Sequence, residues 1–354
     1  MIFIYLALLL LILSPILSRK HNRIINYLLI ALYAFVFSMR SDIVPDTIPY
    51  RDMFMGLYDY SSTIENGYLW FCSLFYRWRF SFQGYLFVWA FFSLVIWWKC
   101  TIRVTKSDNI FWPLMLFMSY MGIYNYGIII RAATALTIIY VALTYYLCSE
   151  SRFRLFVYWG LCFVAMQFHQ TVFIYLVIPF ICKKVYPKSI LYTVLCLSLL
   201  LSFSVELFQS QQKVLSLVFD KLGNMGYLTR LNSYVERSED ALAFSFSFTQ
   251  LKFCIFALFF VYIRKFIDNE KITNGYNFFL NIYVVGVLLY ALFSYIMAGV
   301  RLSYLLLFFE FILATIVVLY INKRNLRAVT FLVVVLVNYI ILYAHVPKLL
   351  YYIE

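Results

Sequence analysis

Charged side chains are scarce in this chain of 354 residues: Asp, Glu, Lys and Arg make up only 13% of it, and histidine occurs three times. Hydrophobic residues make up 64%, whereas soluble globular proteins are nearer ~45–50% apolar. The mean hydropathy is +0.85. The composition therefore excludes a soluble globule, and the nearly uninterrupted apolar runs predict an all-α polytopic membrane protein.

Several sequence motifs are also missing. The chain has no P-loop, GxGxxG, GxSxG, HExxH or CxxC pattern, so nucleotide-driven transport, nicotinamide redox chemistry and zinc hydrolysis have no support. Its seven cysteines are scattered, mostly within apolar segments, and are interpreted as buried thiols. We therefore predict no metal site and no cofactor.

The net charge of +13 is interpreted as membrane topology rather than nucleic-acid binding. Lys and Arg in short loops mark the cytoplasmic side of a membrane protein, and the basic residues here cluster between apolar segments. Twelve apolar segments are expected to cross the bilayer, some of them shorter than the ~20 residues that a straight span needs. They are 1–18, 24–39, 82–98, 110–123, 126–148, 155–168, 170–182, 190–208, 248–265, 277–298, 302–321 and 328–345.

Alternating sides along this order places six basic clusters in the cytoplasm if the N-terminus lies outside. The first apolar run has no basic residues before it, which favours a first span over a cleaved signal peptide. The same rule separates 155–168 from 170–182 as two short passes that meet at residues 168–170, because a single helix would export Lys183 and Lys184.

We expect one domain over residues 1–354 with two long loops on the outer side, 40–81 and 209–247. The segment 65–80 is interpreted as an amphipathic helix at the outer interface, since counting it as a span would invert the later loops. The second loop contains another amphipathic piece, 213–222, predicted to rest on the membrane.

Arginines fall at the outer ends of three predicted spans: Arg40, Arg131 and Arg301. Arg131 is expected about a turn into its span, and an arginine inside a membrane is costly enough to suggest a function. Because the guanidinium group binds phosphate through a planar set of donors, three arginines on one face suit a diphosphate carried by a lipid. Snorkelling towards headgroups or structural ion pairing is the alternative for each of them.

The candidate proton acceptors are His169, Asp46 and Glu65. His169 is the histidine expected near the outer face within the bundle, and its side chain suits a general base. The alternative for His169 is a hydrogen-bonded structural role, and for the two acids it is a loop charge, a helix cap or a salt bridge. Glu310 is expected near mid-bilayer as a protonated, hydrogen-bonded group.

These features occur in an order that resembles a known family. The residues that carry the resemblance are Arg40, Asp46-Thr47, Tyr50, Glu65-Asn66-Gly67-Tyr68, Arg131 in IIIRAATAL, His169 in FHQTVFIYLVIPF, and Arg301 in VRLSYLL. Together they make the chain similar to the EpsG-like and Wzy-type polysaccharide polymerases of bacterial envelopes, over nearly its whole length. The segment RAATAL departs from the pattern, in which we expect a glutamine after the arginine.

The resemblance implies a glycosyltransferase-C-like bundle and an inverting glycosyltransferase in the bacterial inner membrane, with its active site on the periplasmic side. Its substrates would be undecaprenyl-diphosphate-linked oligosaccharides, polymerised into O-antigen or a similar surface polysaccharide, and a chain-length regulator is a further expected partner. The arginines would stabilise the diphosphate leaving group, and His169, Asp46 or Glu65 would activate the acceptor hydroxyl. The expected substrate-binding residues are Tyr50, Arg51, Tyr68, Gln170, Arg230 and Tyr304.

Two other functions stay open at this point. A flippase of the same lipids would show internal repeats and binding charges near the midplane, whereas this chain has no visible repeat and gathers charges at one face. A membrane acyltransferase would also use a histidine beside an acidic residue.

Overall fold

The computed structural model describes residues 23–42, 44, 46–57, 65–201, 248–267, 270–293, 297–321 and 323–351. No strand occurs in these ranges, and helices account for nearly all of them. The α-helices, in chain order, are α1 (Arg23–Ser38), α2 (Thr47–Met55), α3 (Asn66–Arg77), α4 (Phe82–Thr105), α5 (Phe111–Met118), α6 (Met121–Gly127), α7 (Ile130–Cys148), α8 (Arg154–Met166), α9 (Ile178–Cys182), α10 (Lys188–Leu201), α11 (Phe248–Ile263), α12 (Glu270–Phe293), α13 (Met297–Leu307), α14 (Glu310–Tyr320) and α15 (Arg324–Tyr351). Two 3₁₀ helices, Gln170–Val177 and Arg264–Phe266, complete the set.

Five helical stretches of the described chain are long and apolar enough to cross a membrane. They are Phe82–Thr105, Ile130–Cys148, Ile272–Phe293, Gly299–Tyr320 and Asn325–Tyr343. The prediction of an all-helical, multi-pass membrane protein is therefore confirmed. The count of about twelve passes stays a prediction, as does the assignment of loops to the two sides.

The described residues group into two compact units. One holds the described chain as far as Pro179, together with Ile267–Gly275 and the described residues from Phe311 onward. The other holds the described parts of Phe180–Phe266 and Tyr276–Glu310. The single domain expected from the sequence stays a prediction.

The first unit is built around α4, which packs between α1 and α7. Ser81 caps α4 by accepting a 3.1 Å hydrogen bond from the N–H of Gly84. Trp89 on α4 donates to Thr134 on α7 at 2.9 Å, and a second bond of 3.0 Å joins the hydroxyls of Thr101 and Tyr140. In an apolar environment such bonds between buried polar groups fix the register of two helices.

Two predicted passes are broken into short helices. The pass expected at 110–123 is divided between α5 and α6, and α7 begins only after Ile128 and Ile129 leave the helical path. No proline lies in the apolar sequence just before α7, so packing against other helices contributes to the break. It places the first turn of α7 inside the bundle, where the functional site is formed.

The chain turns back on itself at Phe168–Gln170. Here α8 ends at Met166, and a 3₁₀ helix begins at Gln170. The Tyr158 hydroxyl donates to the carbonyl of Tyr175 at 2.5 Å, so the two segments lie side by side. The predicted separation of this region into two segments is confirmed.

The predicted first loop, 40–81, contains two helices. The helix expected over 65–80 is confirmed as α3, whereas its place at the membrane interface stays a prediction. The sequence did not indicate α2, which ends in a left-handed Gly56. The second loop, 209–247, with its amphipathic piece 213–222, lies outside the described residues.

The second unit is held by hydrogen bonds from buried polar side chains to backbone carbonyls. On α12, Tyr276 donates to the carbonyl of Phe260 at 2.8 Å. Asn281, also on α12, donates to the carbonyls of Cys182 at 3.0 Å and Lys184 at 2.7 Å. These bonds anchor α12 to α11 and to the end of α9.

Apolar side chains remain exposed along one side of α15. Leu332, Val333, Leu336 and Ile340 follow helical spacing and are all more than 40% exposed, as expected of a face that meets lipid.

The prediction that the cysteines are buried thiols is confirmed for five of the seven, whereas Cys148 and Cys196 are exposed.

Candidate functional site

Glu65 connects three segments of the first unit. It is the N-cap residue of α3, but its carboxylate makes no side-chain cap bond to that helix. Its Oε2 accepts a 2.6 Å hydrogen bond from Arg131, and its Oε1 accepts a 3.2 Å bond from the backbone N–H of Gln170. Nδ1 of His169 lies 3.6 Å from the same Oε1. The side chain is only 10% exposed, so one buried carboxylate joins the starts of three helical segments.

Arg131 lies in the first turn of α7, not a turn into a longer helix as the sequence predicted. A positive charge at a helix N-terminus is repelled by the helix dipole, and the Glu65 carboxylate offsets this cost. The Arg131 side chain is 25% exposed. Its Nε is buried and donates to no residue in the described ranges. The NH1 group is held by Glu65, so the guanidinium has a fixed orientation.

His169 sits in the turn between α8 and the 3₁₀ helix. Its backbone is extended, with φ −159° and ψ 107°, and its side chain is 18% exposed. The Nδ1–Oε1 distance of 3.6 Å to Glu65 is longer than an ordinary hydrogen bond, so the attraction is mainly electrostatic. The imidazole thus lies beside a carboxylate. Its Nδ1 faces the negative charge, and its Nε2 takes no part in this contact.

The Glu65 carboxyl is strongly acidic in this setting. Burial by itself raises the pKa, but the contact with His169 and the positive charge of Arg131 outweigh burial and lower the pKa to about 2. A carboxylate with such a pKa is a poor proton acceptor near neutral pH. The geometry suits Glu65 to orienting Arg131 and His169 rather than to taking a proton itself.

Arg40 forms a second buried group with Thr47 and Tyr50. It is 7% exposed, its Nε donates to the Thr47 hydroxyl at 2.8 Å, and its guanidinium carbon lies 5.6 Å from the centre of the Tyr50 ring. Burial lowers the pKa of Arg40, but the usual value is so high that the group stays charged. Tyr50 and Tyr68 pack edge to face at 5.8 Å.

Tyr50 links this second group to Glu65 and Arg131. Burial raises the pKa of the Tyr50 hydroxyl, and the neighbouring Arg131 opposes that shift. The influence of Arg131 shows that both guanidinium groups, those of Arg40 and Arg131, lie close to one tyrosine. The structure therefore brings together Arg40, Tyr50, Glu65, Tyr68, Arg131, His169 and Gln170, seven of the residues expected to form the site.

The structure gives the other predicted site residues different surroundings. Asp46 is exposed, adopts a left-handed conformation with φ 62°, and is near enough to Arg40 to raise the pKa of that group. Arg51 pairs with Asp42. Arg301 and Tyr304 lie on α13, in the second unit. Arg230 lies outside the described residues.

Sequence reasoning missed Lys252, which forms a buried ion pair in the second unit. Its Nζ lies 2.9 Å from Oε2 of Glu310, and each side chain is 2% exposed. Tyr283 donates to the same oxygen at 2.8 Å. Glu310 is hydrogen-bonded as expected, and Lys252 is a counter-charge that the sequence analysis did not assign to it. A lone lysine within the apolar run FTQLKFCIFALFF was the available signal.

The helices and the buried charged cluster define a multi-pass membrane protein with a polar site assembled at helix ends. The model of the EpsG family matches residues 23–352, and the chain therefore belongs to the EpsG family. Family and membrane helices together fit a polysaccharide polymerase of the glycosyltransferase type. Searches of curated proteins and of solved structures returned no match.

Proposed function

We propose that this protein is an inverting glycosyltransferase that polymerises undecaprenyl-diphosphate-linked oligosaccharide repeats. The reaction takes place at the periplasmic face of the bacterial inner membrane and yields O-antigen or a similar surface polysaccharide. The observation that carries the proposal is the buried group of Glu65, Arg131 and His169, with Arg131 held by the carboxylate at 2.6 Å. Family membership supports the same class of reaction.

The arginines stabilise the departing diphosphate. Negative charge grows on the phosphate oxygen as the bond to the sugar breaks, and preorganised guanidinium groups in a partly dry site lower the energy of that state without a metal. Arg131 is fixed in place by Glu65, and Arg40 is fixed by Thr47. Arg301 is the third arginine assigned to this role, on the basis of the family resemblance.

His169 is the proton acceptor. The acceptor sugar's hydroxyl oxygen attacks the anomeric carbon of the donor from the face opposite the diphosphate, and its proton passes to Nε2 of His169. The bond between the anomeric carbon and the diphosphate oxygen breaks, and its electron pair leaves with undecaprenyl diphosphate. Glu65 stabilises the imidazolium that forms, since its carboxylate lies 3.6 Å from Nδ1. Asp46 is the second candidate base, and the pKa of about 2 makes Glu65 the weakest.

Tyr50 and Tyr68 are 2% and 0% exposed, so they support Arg40 from within the protein. Gln170, which follows His169 in the chain, is assigned to contacting the sugars. Arg51, Arg230 and Tyr304 are assigned to the same task on the basis of the family resemblance.

A flippase of lipid-linked oligosaccharides is the second candidate. The Lys252–Glu310 pair supports it, because ionisable groups buried in membrane helices often mark a substrate or ion path. A transporter moves its substrate without changing it, so the two candidates differ in their products.

The test is to incubate the purified protein in proteoliposomes with lipid-linked repeat units and to separate the products on a gel. A ladder of lengthened, lipid-linked chains supports the polymerase. Movement of labelled repeats across the bilayer with no ladder overturns it in favour of the flippase. Acyl transfer to the repeats, detected by mass spectrometry, would assign the His169 site to an acyltransferase.

A further inference from the structure

A cavity of about 750 Å³ lies in the first unit beside the cluster just described. The described residues that line it all fall between Arg40 and Gln83: they come from the segment after α1, from α2, and from the end of α3 through the start of α4. The volume is within the range of sites that bind small molecules. Most of the residues that line the cavity have no role in the steps proposed above.

One wall of the cavity is aromatic. Tyr76 is 52% exposed and Phe80 is 37% exposed, and both face the cavity rather than the protein core. Phe54 backs this wall: its ring centre lies 5.7 Å from Tyr76 and 5.7 Å from Phe82. The rings are thus fixed against one another while two of them keep surface free for a ligand.

Polar side chains also line the cavity. Asp42 and Arg51 form an ion pair there, with 52% and 32% of their side chains exposed. The guanidinium carbon of Arg51 lies 6.0 Å from the ring centre of Phe82, so the pair is joined to the aromatic wall. Gln83 adds an exposed amide. A carboxylate, a guanidinium and an amide supply paired donors and acceptors to neighbouring hydroxyls of one ring.

This combination fits a sugar better than a phosphate or a lipid tail. A pyranose ring has an apolar face of C–H groups and an edge of hydroxyls, which match an aromatic wall facing a polar rim. A phosphate site would present an excess of accessible positive charge, but Asp42 neutralises Arg51, and Arg40, the other arginine of the lining, is only 7% exposed. A lipid tail would leave the exposed polar groups of Asp42, Arg51 and Gln83 without water or partners.

Arg40 connects the cavity to the cluster. It contributes to the lining of the cavity, and its guanidinium lies over the ring of Tyr50, which in turn neighbours Arg131. A ligand in the cavity therefore has a positively charged group at the end that faces the Glu65 site. A sugar placed there would direct one end of its chain towards the arginines.

From these contacts we infer that the cavity is a carbohydrate-binding site, which holds uncharged sugars of the repeat unit between the aromatic wall and the Asp42–Arg51 pair. This inference rests on the proposed function for the identity of the sugar chain. It assigns binding roles to Tyr76, Phe80 and Gln83, which neither the sequence motifs nor the cluster around Glu65 had indicated.

The experiment measures binding of the carbohydrate alone. The probe is the oligosaccharide repeat released by mild acid from the host's lipid-linked pool, free of lipid and of diphosphate, titrated into purified protein in nanodiscs and followed by saturation-transfer NMR. We expect Tyr76→Ala and Gln83→Ala each to weaken binding about tenfold. Tyr76→Phe keeps the ring and should bind within about twofold of the wild type.

Trp70→Ala is the matched control. Trp70 lies on α3 like Tyr76, is 64% exposed, and does not line the cavity. Its replacement should leave binding of the probe unchanged. Inorganic diphosphate serves as a competitor, and empty nanodiscs serve as the blank. Displacement of the probe by diphosphate would assign the cavity to the phosphate end of the substrate and overturn the inference.

The outcomes separate this inference from the proposed function. If the wild type lengthens lipid-linked repeats while the cavity variants bind the probe and lengthen chains as the wild type does, the cavity assignment is wrong and the polymerase stands. If the wild type binds the probe through Tyr76 and Gln83 but forms no ladder, the sugar site stands and the polymerase is wrong. If the wild type does not bind the probe, the cavity assignment is wrong whatever the ladder shows.

Discussion

A methyl group on the α-carbon of Gly67 would lie 2.6 Å from both the carbonyl oxygen and Cβ of Gln167. The first turn of α3 therefore rests directly on the end of α8. Glu65 lies two residues before this contact, and His169 lies two residues after it. The absence of a side chain at Gly67 is what allows the carboxylate to reach the imidazole and the backbone of Gln170.

Replacement of Gly67 by alanine should separate α3 from α8 and abolish chain lengthening. Backbone atoms cannot yield as a side chain can, so the helices must move apart and the Glu65 contacts must lengthen. Gly160→Ala is the control, because that position lies on α8 with nothing within 4 Å of an added Cβ. The measurement is the product ladder, together with the elution profile of the purified variants. If the Gly67→Ala variant gave the same product ladder as the wild type, the close contact between Gly67 and Gln167 would not be needed for activity.

Exchange of Arg131 should show two separable effects. Arg131→Gln leaves the Glu65 carboxylate buried without its counter-charge, and we expect a loss of about 2 kcal/mol in the free energy of unfolding together with a loss of chain lengthening. Glu65→Gln/Arg131→Gln removes both charges, so it should regain most of the thermal stability and none of the activity. The melting temperature in detergent and the product ladder report the two effects. An active double variant would rule out the guanidinium as a catalytic group.

The acidity of Glu65 predicts how stability depends on pH. The pKa of this carboxyl in the folded protein, about 2, lies below its usual 4.5. The stabilisation from the ionised carboxylate is therefore fully present above about pH 4.5 and is lost as the pH falls towards 2, with a magnitude on the order of 3 kcal/mol. Glu65→Gln lacks this contribution. Its melting temperature should be below that of the wild type at pH 7, and the difference should shrink on acidification. A difference that stays constant from pH 7 to pH 3 would contradict the assigned ion pair.

His169 should affect turnover more than binding. His169→Gln keeps a polar side chain of similar reach but cannot accept the proton, so we expect a decrease in kcat of about 10²–10⁴-fold with little change in KM for the lipid-linked repeat. Initial rates from the ladder assay at several substrate concentrations give both constants. A rise in KM at unchanged kcat would instead assign His169 to substrate recognition.

The Lys252–Glu310 pair should show strong non-additivity. Either Lys252→Met or Glu310→Met alone leaves a group without its buried partner, and we expect each to cost about 3–5 kcal/mol. Lys252→Met/Glu310→Met replaces the pair by apolar side chains and should recover most of that loss. Thermal melting of the four proteins completes the double-mutant cycle. Additive losses would mean that the two side chains do not interact in the membrane.

The sequence predicted the class of protein and several segment ends. Composition and uninterrupted apolar runs indicated a helical membrane protein, and the positive-inside rule located the turn at His169. The sequence also indicated the helix that begins after Glu65. These features depend on local sequence and on the number of charges in each loop, both of which can be read without knowledge of packing.

The contacts within the site could not be predicted in the same way. Glu65 and Arg131 are 66 positions apart, and their pairing depends on the break before α7. The sequence GIII at this break has a glycine, which weakens a helix, but no proline, so it does not specify the path of the chain. Asp46 and Glu65 looked equivalent as loop acids, but one is exposed and the other is buried beside an arginine. Burial and close approach arise from tertiary packing, so the sequence alone could not distinguish these two acids.

The turn after His169 continues into eight residues of 3₁₀ helix, an unusually long run for this conformation. A 3₁₀ helix rises about 2.0 Å per residue instead of about 1.5 Å, so this segment is about 4 Å longer than the same residues in an α-helix. The extra length helps a segment of thirteen residues, Gln170–Cys182, to extend farther than its residue count suggests. Any change that rewound it as an α-helix would pull one of its ends inward, and the imidazole would then lose its place beside the carboxylate.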